Sequence, residues 1–207
     1  MTEFAEGFAY LKQKPDIGVI ILLVSIVSLL VLPYNTVLPE FAKVIYKGNA
    51  KTFGYLTGFV SVGAIIGTIY LASRKPGAHL KRILFLSTII MGIGLIFFSQ
   101  LKNFPAAMFF ATLIGFGGMA QFTVCNIYVQ SHSSPQMRGR AIGIMLMAIF
   151  GMLPLGSVVI GFIAQYTGAP VTVLGEGIIA LVVALVFAKF LTTREGSGTP
   201  KDMGNTG

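Results

Sequence analysis

A few polar side chains lie inside long apolar runs of this 207-residue chain, and chemistry would concentrate there. Glu176 stands between Gly175 and Gly177, and a carboxylate inside a hydrophobic run is a natural proton carrier. Gln121, Cys125 and Tyr128 follow at i, i+4 and i+7, so a helix puts all three on one face. Thr123, Asn126 and Gln130 make a second polar line beside them. Either line suits a water-filled path taking a small molecule's hydrogen-bonding groups. It equally suits bonds between helices, worth about 0.6 kcal/mol each. Tyr34 and Asn35 follow Pro33, whose ring removes a helical hydrogen bond and frees a carbonyl. They read as ligand-facing groups, or as an interfacial tyrosine with a polar neighbour at a helix end. Two basic turns, one with Arg74 and Lys75 and one with Arg138, Gly139 and Arg140, suit anionic partners, lipid phosphates included.

Other chemistry is excluded. His79 and His132 have no ligand cluster around them, and Cys125 is the single cysteine, so it forms no intrachain disulfide. The sequence holds no nucleophile paired with a base, no paired carboxylates, no metal-ligand spacing and no phosphate-binding glycine loop. No enzyme activity, no ATP-driven pump and no cofactor are expected.

The elements that position these residues follow from composition. Hydrophobic residues make up 55% of the chain and charged ones 11%, with a mean hydropathy of +0.82. Soluble domains carry about 25% charged residues, so this chain has too little polar surface to coat a globule in water. Six apolar segments, about 17–38, 53–72, 83–98, 105–129, 141–164 and 170–191, are each long enough to cross a bilayer as a helix. They are continuous runs, not alternating strands, so the fold class is all-α, a polytopic membrane protein with six transmembrane helices in the bundle 16–191. Residues 1–15 carry Phe4, Phe8 and Leu11 at helical spacing and read as an amphipathic lead-in helix on the membrane surface. Glu3 and Glu6 argue against a signal peptide. The polar tail 192–207 is expected to be disordered.

Charge sets the orientation. Of the 15 Lys and Arg residues, Lys43, Lys47, Lys51 and Lys102 fall on one side of the six spans and the other eleven, with both termini, on the opposite side. The bias places both termini in the cytoplasm of a cell inner (plasma) membrane. The net charge of +8 is spread in small groups between apolar runs, which excludes a nucleic-acid surface.

Three stretches, in order and spacing, resemble the C-terminal half of a major facilitator superfamily transporter, in the bacterial branch of siderophore and macrolide efflux proteins. They are Ser134-Pro135-Gln136-Met137-Arg138-Gly139-Arg140-Ala141, Ala72-Ser73-Arg74-Lys75-Pro76-Gly77 with Lys81-Arg82, and Leu32-Pro33-Tyr34-Asn35-Thr36-Val37-Leu38-Pro39-Glu40. The resemblance runs from the lead-in helix to about Leu191 and implies alternating access between two six-span halves, with proton-coupled export of a small molecule. It implies that the first and fourth spans line the central cavity, which makes Tyr34, Asn35, Gln121 and Asn126 substrate-cavity candidates. The basic turns become candidate gate residues at the cytoplasmic face, and Glu176 a candidate for proton coupling. A sixth span that packs on the outside of its half argues against that role and for a place near the outer interface or a bond to a neighbouring helix. The second and fifth spans are implied to meet the other half. Their Gly54, Gly58, Gly63, Gly67, Ser157 and Gly161 serve that contact or packing inside the half.

Two departures stand out. Ser73 occupies the position before Arg74 where the family often has an acid, which weakens the expected charge latch. The chain also supplies six spans of the family's twelve. Its partners are then the lipid bilayer, a small-molecule substrate and either an N-terminal six-span half or a second copy of itself. The lead-in helix resembles the family's central linker and points to the C-terminal half or a fragment. The alternative is a stand-alone six-span membrane protein acting as an assembly or regulatory subunit or as a homodimer.

The orientation is testable with single cysteines and a membrane-impermeant maleimide on intact cells. Lys102→Cys is expected to react from outside, and Gln136→Cys only after the cells are permeabilised; the reverse pattern overturns the orientation.

Overall fold

The structure, a computed structural model, describes residues 9–74 and 79–192. Lys75 and the tail from 193 therefore lie outside the described residues, as do positions 1–8 of the lead-in segment, of which residues 9–13 are helical. The described residues form helices joined by short connections, with no strand among them, and six helices are long and apolar enough to cross a membrane. We label them α1 (Pro15–Leu30, continued by irregular turns to Ile45), α2 (Ala50–Ala72), α3 (Leu80–Gln100), α4 (Phe104–His132), α5 (Arg138–Thr167) and α6 (Ala169–Val186).

Local sequence sets the helix ends. The Asn49 side chain accepts the Lys51 N–H at 2.9 Å while the Thr52 hydroxyl accepts the Asn49 N–H at 3.3 Å, a reciprocal cap that starts α2. Asn103 accepts the Ala106 N–H at 3.4 Å and Pro105 occupies the first turn, which together start α4. Gly168 alone separates α5 from α6, at φ +80°, a backbone conformation that glycine reaches without a Cβ clash. Arg138, Arg140 and Thr167 extend α5 beyond the apolar stretch 141–164, because polar residues continue a helix where a hydropathy window ends.

The first span is broken. Regular helix stops at Leu30, and Pro33 has no N–H to give. The chain tightens into a 3-10 turn, Leu32–Thr36, then a short turn at Leu38–Glu40 and a wide π-turn at Phe41–Ile45. Unsatisfied backbone cannot face hydrocarbon, so such a break persists only where protein covers it. α5 provides that cover: a Cβ on Gly156 would run into the Leu29 carbonyl and come within 2.7 Å of Pro33.

Close backbone contact recurs through the bundle. α4 lies at its centre, against α2 and α3, while α3 also packs on α6 and α1 on α5. A Cβ on Gly63 of α2 would strike the Thr112 carbonyl, and one on Gly115 of α4 the Val60 carbonyl. Gly177 of α6 meets Gly92 and Ile96 of α3 in the same way. The small residues of α2 thus divide: Gly63 and Gly67 pack inside the bundle, whereas Gly54 and Gly58 have open space beside them. Gly161 of α5 touches little beyond Thr36. α2 and α5 are the most exposed spans, with 22% and 17% of their most apolar windows buried, so their outer faces are the surfaces this chain leaves uncovered.

Gly115→Val is expected to destabilise the bundle in detergent by about 1–3 kcal/mol through overpacking. Gly58→Ala, beside open space, is expected to change it by less than about 0.5 kcal/mol. Equal thermal shifts for the two variants contradict the packing described.

Candidate functional site

The bundle carries a groove of 340 Å³ where α1, α2, α4 and α5 converge, floored by Met91 of α3. That volume is at the lower end of the range of small-molecule sites. The broken part of α1 contributes Leu32 and Tyr34, α4 contributes Ile114, Gly115, Gly118, Met119 and Phe122, and α5 contributes Ile149, Phe150 and Leu153. The α4 residues recur at i, i+4 and i+8 or one position beside these, one helical face. The walls are almost wholly apolar, with sulfur and ring faces from Met91, Met119, Phe122 and Phe150, and Tyr34 brings the one polar side chain among the lining residues. Such a surface gains affinity from burying an apolar or aromatic body and adapts to its shape through methionine.

The candidate residues fall at several places. Tyr34 reaches the groove and is 4% exposed. Asn35 is exposed, and its amide donates to the Leu32 carbonyl at 3.5 Å. Gln121 turns inward: it is 2% exposed, its amide N–H finds no protein acceptor among the described residues, and Met119 and Phe122 on either side of it take the groove positions. Cys125 and Tyr128 lie buried on that same inner face. Asn126 is half-buried and bonded to Gln130 one turn on, so the second polar line holds a pair within α4. Glu176 is buried in α6 with neither carboxyl oxygen partnered among the described residues, without the helix–helix bond expected of it.

Arg74 and Arg140 each have a neutral partner close by in sequence. The Arg74 guanidinium donates to the Tyr70 hydroxyl at 2.7 Å and lies 4.6 Å from the ring centroid, within its own helix. Arg138 and Gly139 are exposed at the start of α5, and Arg140 donates to the Met137 sulfur at 3.6 Å. A tighter electrostatic knot involves a different cation. Lys81, buried at the start of α3, sets its ammonium 3.7 Å from the Asp16 carboxylate. The ammonium also lies 4.0 Å from the Phe190 ring centroid and 5.8 Å from that of Tyr128, on which His132 stacks at 3.9 Å. One cation thereby ties together the starts of α1 and α3, the end of α4 and the turn after α6. The lead-in helix is tied to the loop between α4 and α5: the Ser134 N–H donates to the Tyr10 hydroxyl at 3.0 Å, and that bond holds the phenol below its ordinary pKa. A motif search reaches only the Lys81-Arg82 pair of this knot, since Asp16, Lys81, Tyr128 and Phe190 lie on four separate elements.

Six apolar helices around a one-sided groove, with a broken first helix at its edge, define a polytopic membrane bundle. The family follows from comparison: the model of the transmembrane secretion effector family, of major facilitator type, matches residues 1–202, and the chain belongs to that family. It is 28% identical over 171 residues to the staphyloferrin A transporter of Staphylococcus aureus (strain NCTC 8325 / PS 47), a match covering 79% of this chain and 42% of that protein. It is 21% identical over 187 residues to the multidrug efflux pump Tap of Mycolicibacterium fortuitum, covering 90% of this chain and 45% of that one. The chain thus spans less than half the length of these curated relatives. No solved structure gives a significant match.

Lys81→Ala is expected to lower thermal stability by about 1–3 kcal/mol, through lost ring contacts and stem packing. Asp16→Asn is expected to cost less than about 1 kcal/mol, because Asp16 is 61% exposed and solvent screens the pair. Melting curves in detergent that rank the two the other way contradict this account of the knot.

Proposed function

We propose that this chain is the C-terminal six-span half of a secondary exporter that moves a small apolar or aromatic molecule by alternating access, with proton coupling. The observation that carries this reading is the groove: an apolar wall of methionine and phenylalanine, open on one side and bordered by the uncovered faces of α2 and α5. A second six-span unit against those faces would close the groove into a central cavity, as parallel halves do in this superfamily. The open Gly54 and Gly58 of α2 allow a partner helix close approach. The name of the efflux relative, a multidrug pump, accords with an apolar cargo.

In this reading Tyr34 and Asn35 contact the substrate directly, and Gln121 and Asn126 hold α4 in shape behind the contact surface. The Lys81 knot, with Arg74, Arg138 and Arg140 around it, forms the cytoplasmic end of an inner-membrane protein. There the knot keeps α1, α3 and α4 together as one body while the two halves rock. The second six-span unit is an N-terminal half or a second copy of this chain, and native mass spectrometry from lipid discs distinguishes a heteromer from a homodimer.

The test is dye export from an efflux-deficient bacterium, using ethidium as probe, with the chain expressed alone and together with its cognate N-terminal half. Cells holding the complete assembly are expected to keep ethidium low and to lose that ability when the proton gradient is collapsed. Phe122→Ala and Met119→Ala are expected to weaken export roughly tenfold each, the loss of one well-packed apolar contact. Unchanged ethidium accumulation in both arrangements, with the proteins confirmed in the membrane, rejects the proposal.

A further inference from the structure

Gly115, Gly117 and Gly118 lie within one turn of α4, yet their surroundings differ. A Cβ on Gly115 would strike the Val60 carbonyl of α2. One on Gly117 would come within 2.6 Å of the Ser87 carbonyl and 2.8 Å of the Met91 Cβ, both on α3. Close helix contact therefore requires glycine at both positions. A Cβ on Gly118 would meet one neighbour, the Met91 sulfur at 3.8 Å, an ordinary van der Waals distance. The backbone does not need glycine there either. α4 is continuous helix from Phe104 to His132, and among the described residues Gly168 is the one glycine with positive φ. Inside a helix glycine is less favourable than alanine, so neither packing nor conformation accounts for Gly118.

What the missing side chain produces is space in the groove. Gly118 lines that groove, and so do Ile114 and Phe122, at i−4 and i+4 from it. The three stand on one line along α4. Ile114 and Phe122 are separated by roughly 12 Å along the helix axis, and Gly118 puts no side chain between them on that line. The result is a notch in the groove wall, with the Met91 sulfur at its bottom and Phe122 at one end. Thioether sulfur makes favourable contacts with aromatic rings, and aromatic side chains favour edge-to-face or offset contact with another ring. A flat ring gains both contacts, whereas a saturated group is thicker and gains neither. No charged side chain lines the groove, so the notch selects by shape and polarisability and not by charge.

Resting on the exporter reading above, we propose that Gly118 is the specificity-determining residue of the groove: it opens a slot that takes a planar aromatic ring of the cargo. A ring atom in contact with the Met91 sulfur occupies the place that a Cβ at position 118 would take. Even one methyl group there pushes the ring outward and removes its sulfur contact. The same methyl group touches nothing else in the bundle, so it leaves the fold intact. Fold stability and ring binding therefore respond to alanine at this position in opposite directions.

Binding of ethidium, a planar dye, to the whole chain in lipid discs tests this without any transport measurement. Its fluorescence is followed with the chain alone and with its cognate N-terminal half, and melting temperatures are taken without dye. Gly175→Ala on α6, which also has open space beside it and lies off the groove, is the control. Both alanine variants are expected to raise the melting temperature, as alanine does for glycine in a helix. Only Gly118→Ala is expected to weaken ethidium binding, by about fourfold, the equivalent of one lost methylene contact. Gly118→Leu, which fills the slot, is expected to weaken it by more than about tenfold. A lower melting temperature for Gly118→Ala makes the glycine a packing residue and overturns the proposal. So does equal binding by wild type, Gly118→Ala and Gly118→Leu, or no ethidium binding by wild type in either preparation. Binding that follows the expected series in a protein that fails the export test leaves the slot standing and rejects the exporter reading alone. Ethidium export with binding indifferent to position 118 does the opposite.

Discussion

The contact of Gly156 with Leu29 and Pro33 is the constraint on which the rest of this architecture depends. Hydrocarbon does not tolerate open backbone, and Pro33 opens the backbone of the first span. Only a residue without a side chain lets α5 come close enough to cover that break. Once it is covered, the 3-10 turn becomes a stable feature, and its register fixes which side chains face inward. Tyr34 owes its place at the groove to this turn. A continuous helix through residue 34 would advance each residue by about 100° and aim the phenol elsewhere.

Glycine packing explains why the groove lies where it does. Gly63 and Gly115 bring α2 and α4 into backbone contact, and Gly117 does the same for α4 and α3. Gly115 and the Val60 it touches themselves line the concavity, and Met119, Phe122 and Phe150 complete its wall without filling it. At the opposite pole, Lys81 binds four elements at one end of the bundle through one ion pair and two ring faces. The bundle is thus rigid at the Lys81 end and broken near the groove. That combination suits a body proposed to rock as a unit while one turn of one helix responds to its ligands.

Much of this was legible in the sequence, for identifiable reasons. Long apolar runs sufficed for six helices, because the bilayer restricts spanning segments so strongly. The Pro33 break was visible as a proline inside a span, and the basic turns carried the family resemblance that the match over residues 1–202 bears out. The groove was not legible. Met119 and Phe122 are apolar like any lipid-facing residue, and only three-dimensional packing tells a concave apolar face from a convex one. Gln121 drew attention as the deepest polar group, yet about 100° of helix rotation separates each residue from the next, and it turns into the bundle. The Lys81 knot was hidden because Asp16, Lys81, Tyr128 and Phe190 are far apart in the chain.

The most direct test of the central claim, that the concave face of α4 borders a substrate path and not lipid, is the reaction of single cysteines with a small water-soluble maleimide in native membranes. Met119→Cys in the groove and Phe109→Cys, 60% exposed on another part of the same helix, make the comparison. The account predicts that Met119→Cys reacts at least about tenfold faster, since thiolate forms in water and not in hydrocarbon. Equal rates, or faster reaction at position 109, would contradict it.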